Sequence, residues 1–378
     1  MTSGQPIRVL QAVPSMGHGG IEHFLMNLYR AIDKDKVQFD FMYRVPYACV
    51  FDKEIESMGG RIFRCIDPDR HPVRSGRYYR EFFAEHPEVR AVHEHRSGCD
   101  GFFGLMRAAK RAGVPVRILH SHNSQKGWAN NPIKDMTDAF NAPRLDGFAN
   151  VFIACSDVAA QYLYGRCPKV LGECTVRPNA IDLGAFGFDP QVRAAVRGRY
   201  GIVGDALVVG HVGRFVPEKN QAFLLNVVAG LRRVGVAAEA LLLGDGPTRA
   251  EVENKAAELR IADAIHFAGI QEDTASHYSA MDVFCMPSLF EGLPVSCVEA
   301  QASGLPMVLS TGISRMADIC GHAAFLDLGE GAKAWDEAVR EAAKGGRREN
   351  TPTLKAAGYG IDGVAREYEE LYLGGVSK

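Results

Sequence analysis

Short runs rich in Val, Ile and Phe alternate along this chain with stretches whose apolar residues recur every three or four positions. The first pattern is that of a strand buried on both faces and the second that of an amphipathic helix, so the alternation predicts parallel sheets covered by helices. Strands are expected at 7–13, 37–43, 61–65, 89–93, 116–120 and 151–155, and a second series at 207–212, 240–243, 264–268, 283–287 and 306–310. The segment between the series is rich in Gly, Phe and charge, which places a boundary near 182–190. The fold class read from this pattern is α/β, with two Rossmann-like doubly wound domains, 1–185 and 186–360, enclosing a cleft. The last segment, 361–378, is helical in pattern.

Length agrees, because 378 residues exceed what one hydrophobic core usually organises. With 47% hydrophobic and 23% charged residues the composition is that of an ordinary globular protein. No apolar run approaches the roughly 20 residues that span a bilayer. The start lacks a secretory leader's basic and long apolar regions, so a cytoplasmic protein is expected. Nine cysteines, an odd number with no CxxC spacing, read as free thiols. The net charge is only -2, but the first half is mildly basic, with Arg61, Arg64, Arg70, Arg74, Arg77 and Arg80 in one stretch. Such a stretch suits either an anionic membrane surface or acceptor phosphates, or is a plain solvated face.

Open parallel sheets bind ligands beyond the carboxyl ends of their strands, so the residues there carry the candidate chemistry. After the first strand, Gly17, Gly19 and Gly20 open a helix whose free amides suit an anion, although a simple tight bend explains them as well. Two HxH pairs follow, His93 with His95 and His120 with His122, the latter leading into Asn123. They suit hydroxyl recognition or acid–base work. Metal binding competes with this, but no carboxylate or cysteine spacing completes a familiar site and no metal is expected. In the second half, Arg214 and Lys219 follow a strand and suit a diphosphate, unless they merely pair with Glu218. Glu291 and Glu299 border the start of a helix. One can take donor-sugar hydroxyls and the other ribose hydroxyls, while amides near Leu293 and Val295 meet phosphate.

Together with Arg177-Pro178-Asn179-Ala180-Ile181-Asp182, Gly244-Asp245-Gly246-Pro247 and Gly304-Leu305-Pro306, these segments resemble the glycosyltransferases of family 4, of GT-B architecture, particularly exopolysaccharide and capsule-assembly members. The resemblance implies a retaining hexosyl transfer from a nucleotide diphosphate sugar such as a UDP-sugar to a glycan or polyprenyl-linked acceptor. No cofactor, obligatory metal or nucleic acid is involved. By that likeness Arg214 and Lys219 neutralise the diphosphate, Glu299 binds the ribose, and Glu291 contacts the donor sugar. His120 lies beside that sugar and the β-phosphate. Gly19 and Gly20 match the loop that closes over the diphosphate, and the backbone at Gly269 and Ile270 holds the nucleobase. The acceptor would meet His93, His95, His122 and Asn123, and the last helix would pack back across the first domain. Met316 departs from the pattern, since related sequences tend to carry an acidic residue there. Rival readings are a nucleotide-sugar epimerase, which needs no acceptor, and a non-catalytic nucleotide-sugar binding protein.

Overall fold

The computed structural model describes residues 5–17, 19–68, 70–96, 104–122, 136 and 140–374. The chain forms two compact units, Met1–Ala180 with Ile361–Lys378, and Ile181–Gly360. The first holds β1 (Ile7–Val13), β2 (Val37–Tyr43), β3 (Arg61–Arg64), β4 (Val89–Arg96), β5 (Val116–Ser121), β6 (Val151–Ala154) and β7 (Thr175–Val176). Their order is β3-β2-β1-β4-β5-β6-β7, and every pairing is parallel. The second holds β8 (Leu207–Val212), β9 (Ala238–Leu243), β10 (Ile265–Gly269), β11 (Val283–Met286), β12 (Met307–Ser310) and β13 (Ala323–Leu326). Its order, β10-β9-β8-β11-β12-β13, is also parallel throughout. Each sheet therefore reverses its strand order once, between β1 and β4 and between β8 and β11, as doubly wound folds do.

Each sheet is covered on both faces by an apolar cluster, which is why its strands read as nearly unbroken hydrophobic runs. On one face of the first sheet, Phe39, Phe41 and Ile118 pack under helix Gly20–Ala31 and helix Ile361–Gly374. The latter buries Ile361, Val364, Ala365, Tyr368 and Tyr372, a stripe at helical spacing. Among the described residues no helix is long and apolar enough to cross a membrane.

Three details differ from the sequence reading. The unit boundary falls after Ala180 rather than after 185, because the Ile181 amide donates to the Tyr359 carbonyl at 3.0 Å and Leu183 and Phe186 are buried in the second core. The short edge strands β7 and β13 were not expected; neither has a fully buried residue to mark it. Strands β4 and β5 continue to Arg96 and Ser121, so His93, His95 and His120 lie within strands rather than after them.

The turns that end β8 and β9 lie against each other through glycine. Gly244 has φ +124°, and a Cβ there would meet the Gly213 carbonyl oxygen at 2.2 Å. Gly244→Ala is thus strained in its own dihedral and blocked by rigid backbone. It should cost about 2 kcal/mol or more and displace the Gly213–Arg214 turn. Thermal melts should show the loss.

Candidate active site

At the reversal point of the second sheet, β8 runs into Gly213 and Arg214 and β11 into the segment 287–291. Backbone bonds fix that segment from both sides. The Leu289 amide donates to the Glu218 carbonyl at 2.8 Å, the Glu291 amide to Gly312 at 3.1 Å, and the Ser314 amide to Glu291 at 3.0 Å. Gly312 is needed for this approach, since a Cβ there would lie 2.3 Å from the Leu289 carbonyl oxygen. The clips bring Lys219 Nζ to 2.6 Å from Glu291 Oε1, with both side chains 18% exposed. Lys219 thus pairs with a carboxylate 72 positions along the chain and not with its neighbour Glu218. Arg214 is exposed two residues past the end of β8.

Glu299 lies in helix Val295–Ala302, where the Tyr278 hydroxyl donates to its Oε2 at 2.8 Å. Burial pushes the Glu299 carboxyl up to about 7, with the Tyr278 bond opposing the shift. The thiol of Cys297, two residues before Glu299, is raised chiefly by burial and also feels the charges of Lys219, Glu291, Glu299 and Asp318. Leu293 and Val295 flank Pro294, an N-cap without a side-chain acceptor, which leaves the first helical amides available to a ligand. Gly269, at φ +69°, ends β10 and accepts the Gly244 amide at 2.8 Å; Ile270 after it is exposed.

In the first unit Gln11 stands opposite His93 across β1 and β4, and His95 opposite His120 across β4 and β5. Directly paired residues share a face, so Gln11, His93, His95 and His120 project together, with His122 just past the end of β5. All four imidazoles are held well below the ordinary 6.5, first by burial and, at His93, His95 and His120, in part by neighbouring imidazoles, with Asn179 opposing the shift at His122. They are neutral at physiological pH. His93 Nδ1 lies 2.8 Å from the Tyr372 hydroxyl and its Nε2 3.1 Å from His120 Nδ1. His95 Nδ1 lies 2.9 Å from His122 Nε2 and its Nε2 2.9 Å from Gln11 Oε1. His93, His95 and His120 also present nitrogens within 4.8 Å of one another, close enough to be tested as metal ligands. Both nitrogens of His93 and of His95 are already hydrogen-bonded, however, so an ion would have to displace bonds the cluster makes within itself. Asn123 lies outside the described residues.

Gly19 is the N-cap of helix Gly20–Ala31 at φ -101°, and Gly17, Gly19 and Gly20 all avoid the left-handed region. A Cβ at position 19 would meet only the end of the Glu22 side chain, which can swing away, so neither space nor backbone dihedral demands glycine there. The sequence reading missed Tyr278, Gln11 and Tyr372, which join the site as partners of the expected residues. It also missed His211, whose Nδ1 donates to the Cys285 carbonyl at 3.0 Å and which lies near enough to Lys219 to feel its charge. Gln11 carries a signal, being the one amide in an otherwise apolar strand after Arg8. Tyr278 and Tyr372 carry none.

The family model for Glycosyl transferases group 1 matches residues 206–344, the span that holds Arg214, Lys219, Glu291 and Glu299. A Bacillus subtilis protein described as "Putative glycosyltransferase EpsF" is 38% identical over 365 residues, covering 95% of this chain and 94% of that one. Among solved structures, a glycosyltransferase from Rickettsia africae superimposes with TM-score 0.77 at 14% identity, covering 98% of each chain. Anabaena Alr3699/HepE, solved with UDP and glucose, gives 0.71 at 17% identity, covering 97% of this chain and 96% of that one. Two parallel Rossmann-like units, a charged site at the second sheet's reversal point and likeness to EpsF along nearly the whole chain lead to one assignment: the chain belongs to the group 1 glycosyltransferases of GT-B fold, the GT4-type enzymes that its sequence resembles.

Proposed function

We propose that the protein is a retaining family 4 hexosyltransferase that uses a UDP-sugar and extends a glycan or polyprenyl-linked glycan during surface polysaccharide assembly. The observation that carries this reading is the Lys219–Glu291 pair at the end of β8 and β11, beside the exposed Arg214. A diphosphate offers Lys219 a stronger partner than one carboxylate, and Arg214 adds a planar fork for its oxygens. Release from Lys219 leaves Glu291 to accept hydrogen bonds from donor-sugar hydroxyls. Glu299 takes the ribose hydroxyls, the amides near Leu293 and Val295 meet phosphate, and the backbone at Gly269 and Ile270 holds the base. In the first unit Gly19 and Gly20 approach the diphosphate, His120 contacts the donor sugar, and His93, His95, His122 and Asn123 serve the acceptor side. The binding of UDP and glucose by HepE supports the donor class.

Retention is proposed to follow same-face substitution. The acceptor oxygen bonds to the anomeric carbon as its bond to the β-phosphate breaks, and the leaving phosphate oxygen takes the acceptor's proton. Arg214 and Lys219 stabilise the charge that develops there. A donor panel of UDP-, GDP- and ADP-sugars, with and without lipid-linked glycan extract, tests the reading. Acceptor-dependent release of UDP is expected, reduced about a hundredfold or more in Glu291→Gln. Release without acceptor or net transfer would favour an epimerase, and binding without turnover a nucleotide-sugar binding protein.

Glu299 gives a pH prediction. Its raised pKa means that the free folded protein keeps the proton until about pH 7, whereas ribose hydroxyls need the ionised carboxylate as acceptor. The Kd for UDP should therefore rise by up to roughly tenfold for each pH unit below about 7, and stay flat in Glu299→Gln. Stability runs the other way. The contribution of this protonated carboxyl is fully present below the ordinary glutamate range and is lost as pH rises through about 7. Glu299→Gln should therefore melt above the parent protein at about pH 8 and level with it at about pH 5.

A cytoplasmic enzyme resting on the inner membrane face fits the arginine-rich stretch of the first unit. Arg70 and Arg77 are mostly exposed but face Asp67 at 3.5 Å and Glu81 at 2.7 Å, which offsets part of their charge. Loss of binding to anionic liposomes on changing Arg70, Arg74 and Arg77 to Glu would support the membrane contact, and unchanged binding would remove it.

A further inference from the structure

The four histidines form a network whose hydrogen-bond directions are fixed from one side chain. Gln11 Nε2 donates to the Tyr372 hydroxyl oxygen at 3.2 Å. The Tyr372 O–H must then donate to His93 Nδ1, which leaves the His93 proton on Nε2, directed at His120 Nδ1. The His120 proton is forced onto Nε2. From the other end of the same amide, Gln11 Oε1 accepts from His95 Nε2–H, so His95 Nδ1 is bare and accepts from His122 Nε2–H. All four rings are thereby Nε2–H tautomers. One end stays open, His120 Nε2–H as a donor, and that atom is buried without a hydrogen-bond partner among the described residues.

We propose that Tyr372 and His93 are positioning residues for the transferase reaction, holding His120 as a neutral donor of its Nε2 proton to the nucleotide-sugar, while Gln11 sets the opposite polarity at His122. This rests on the reading that His120 contacts the donor. Neutrality matters as much as direction. A ring kept deprotonated by burial offers a hydrogen bond of constant polarity and takes no part as an acid. The surroundings enforce it, because Phe24 meets the His120 ring edge-on at 6.0 Å and His93 stacks on Tyr368 at 5.6 Å, leaving no carboxylate among these ring contacts to stabilise an imidazolium. The nearest charge acting on His93 and His120 is Arg177, which opposes protonation. Rotating the Gln11 amide by 180° would reverse every bond in the network, so Gln11 and the Tyr372 hydroxyl that joins its amide to His93 set the tautomers together. Tyr372 comes from the last helix, 361 residues away from Gln11.

The test is tautomer assignment by long-range proton–nitrogen correlation on full-length protein with labelled histidine, together with steady-state kinetics. In the parent protein all four rings should be single Nε2–H species at neutral pH. Tyr372→Phe removes the hydroxyl that joins the Gln11 amide to His93, so His93 and His120 should become tautomer mixtures. In that variant kcat should fall between roughly tenfold and a hundredfold with donor KM within about twofold. Gln11→Met removes the amide from which both branches take their direction, so all four rings should become tautomer mixtures. A parent protein with His120 as Nδ1–H or as a mixture overturns the proposal, as does a folded Tyr372→Phe with unchanged His120 lines and kcat. If Tyr372→Phe does not fold, the parent and Gln11→Met spectra still decide. His120→Ala separates this inference from the reading beneath it. Full turnover in that variant removes the role of His120, whereas an inactive His120→Ala beside a fully active Tyr372→Phe removes only the positioning role.

Discussion

A parallel sheet covered on both faces tolerates a polar side chain only where that side chain finds partners, and the rest of this structure follows from how the chain meets that demand. An unpaired buried polar group costs about 1–3 kcal/mol, so each polar residue inside β1, β4 or β5 must be answered by another. Gln11, His93, His95 and His120 answer one another on a face otherwise lined by Phe39, Phe41 and Ile118. At the open edge of that network, His120 Nε2 lacks a partner among the described residues. Burial with internal satisfaction therefore does two things at once, keeping the rings neutral and leaving a defined hydrogen-bonding atom for a ligand.

The second unit solves the same problem with charge. Lys219 and Glu291 are mostly buried and neutralise each other, while the Tyr278 hydroxyl supports Glu299. Removing one partner of a buried pair costs about 3–5 kcal/mol because the other charge is left uncompensated. On the proposed reading Lys219 exchanges Glu291 for the diphosphate, a group of higher charge. Such an exchange would select for charge before any contact with sugar or base. The backbone clips at Leu289, Glu291 and Ser314 keep both side chains in place for it, so little has to reorganise when the donor arrives.

Most of the architecture was legible because parallel strands write long apolar runs. Expected and observed strands differ by a few residues at their ends, and β7 and β13 went unseen because two- and four-residue edge strands bury no residue fully. The extension of β4 through His93-Glu94-His95-Arg96 was hidden for a physical reason: polar residues inside a buried strand look like a loop until their partners are known. In the site, the residue types at Lys219, Glu291 and Glu299 announced their chemistry, and the structure gathers them. Their supporting partners were not legible. Tyr278 reaches Glu299 across 21 positions and Tyr372 reaches His93 across 279, and no local pattern encodes a contact of that range.

That range bears on how the first unit reaches its working state. Ala180 ends one of its two segments, and Ile361 begins the other after the whole second unit has been threaded between them. The returning helix delivers Tyr368 and Tyr372 onto the face that carries the histidines, closing contacts with some of the largest sequence separations in the molecule. Loop-closure entropy makes such contacts late in folding. Until they form, Gln11 and His93 lack the hydroxyl that orders them, and the aromatic face around Phe24, Phe39 and Phe41 is uncovered. The tautomer of His120 is therefore set by the last helix of the chain. A sheet that looks complete after β7 has its fold at that stage but lacks the hydrogen-bond polarity of its site.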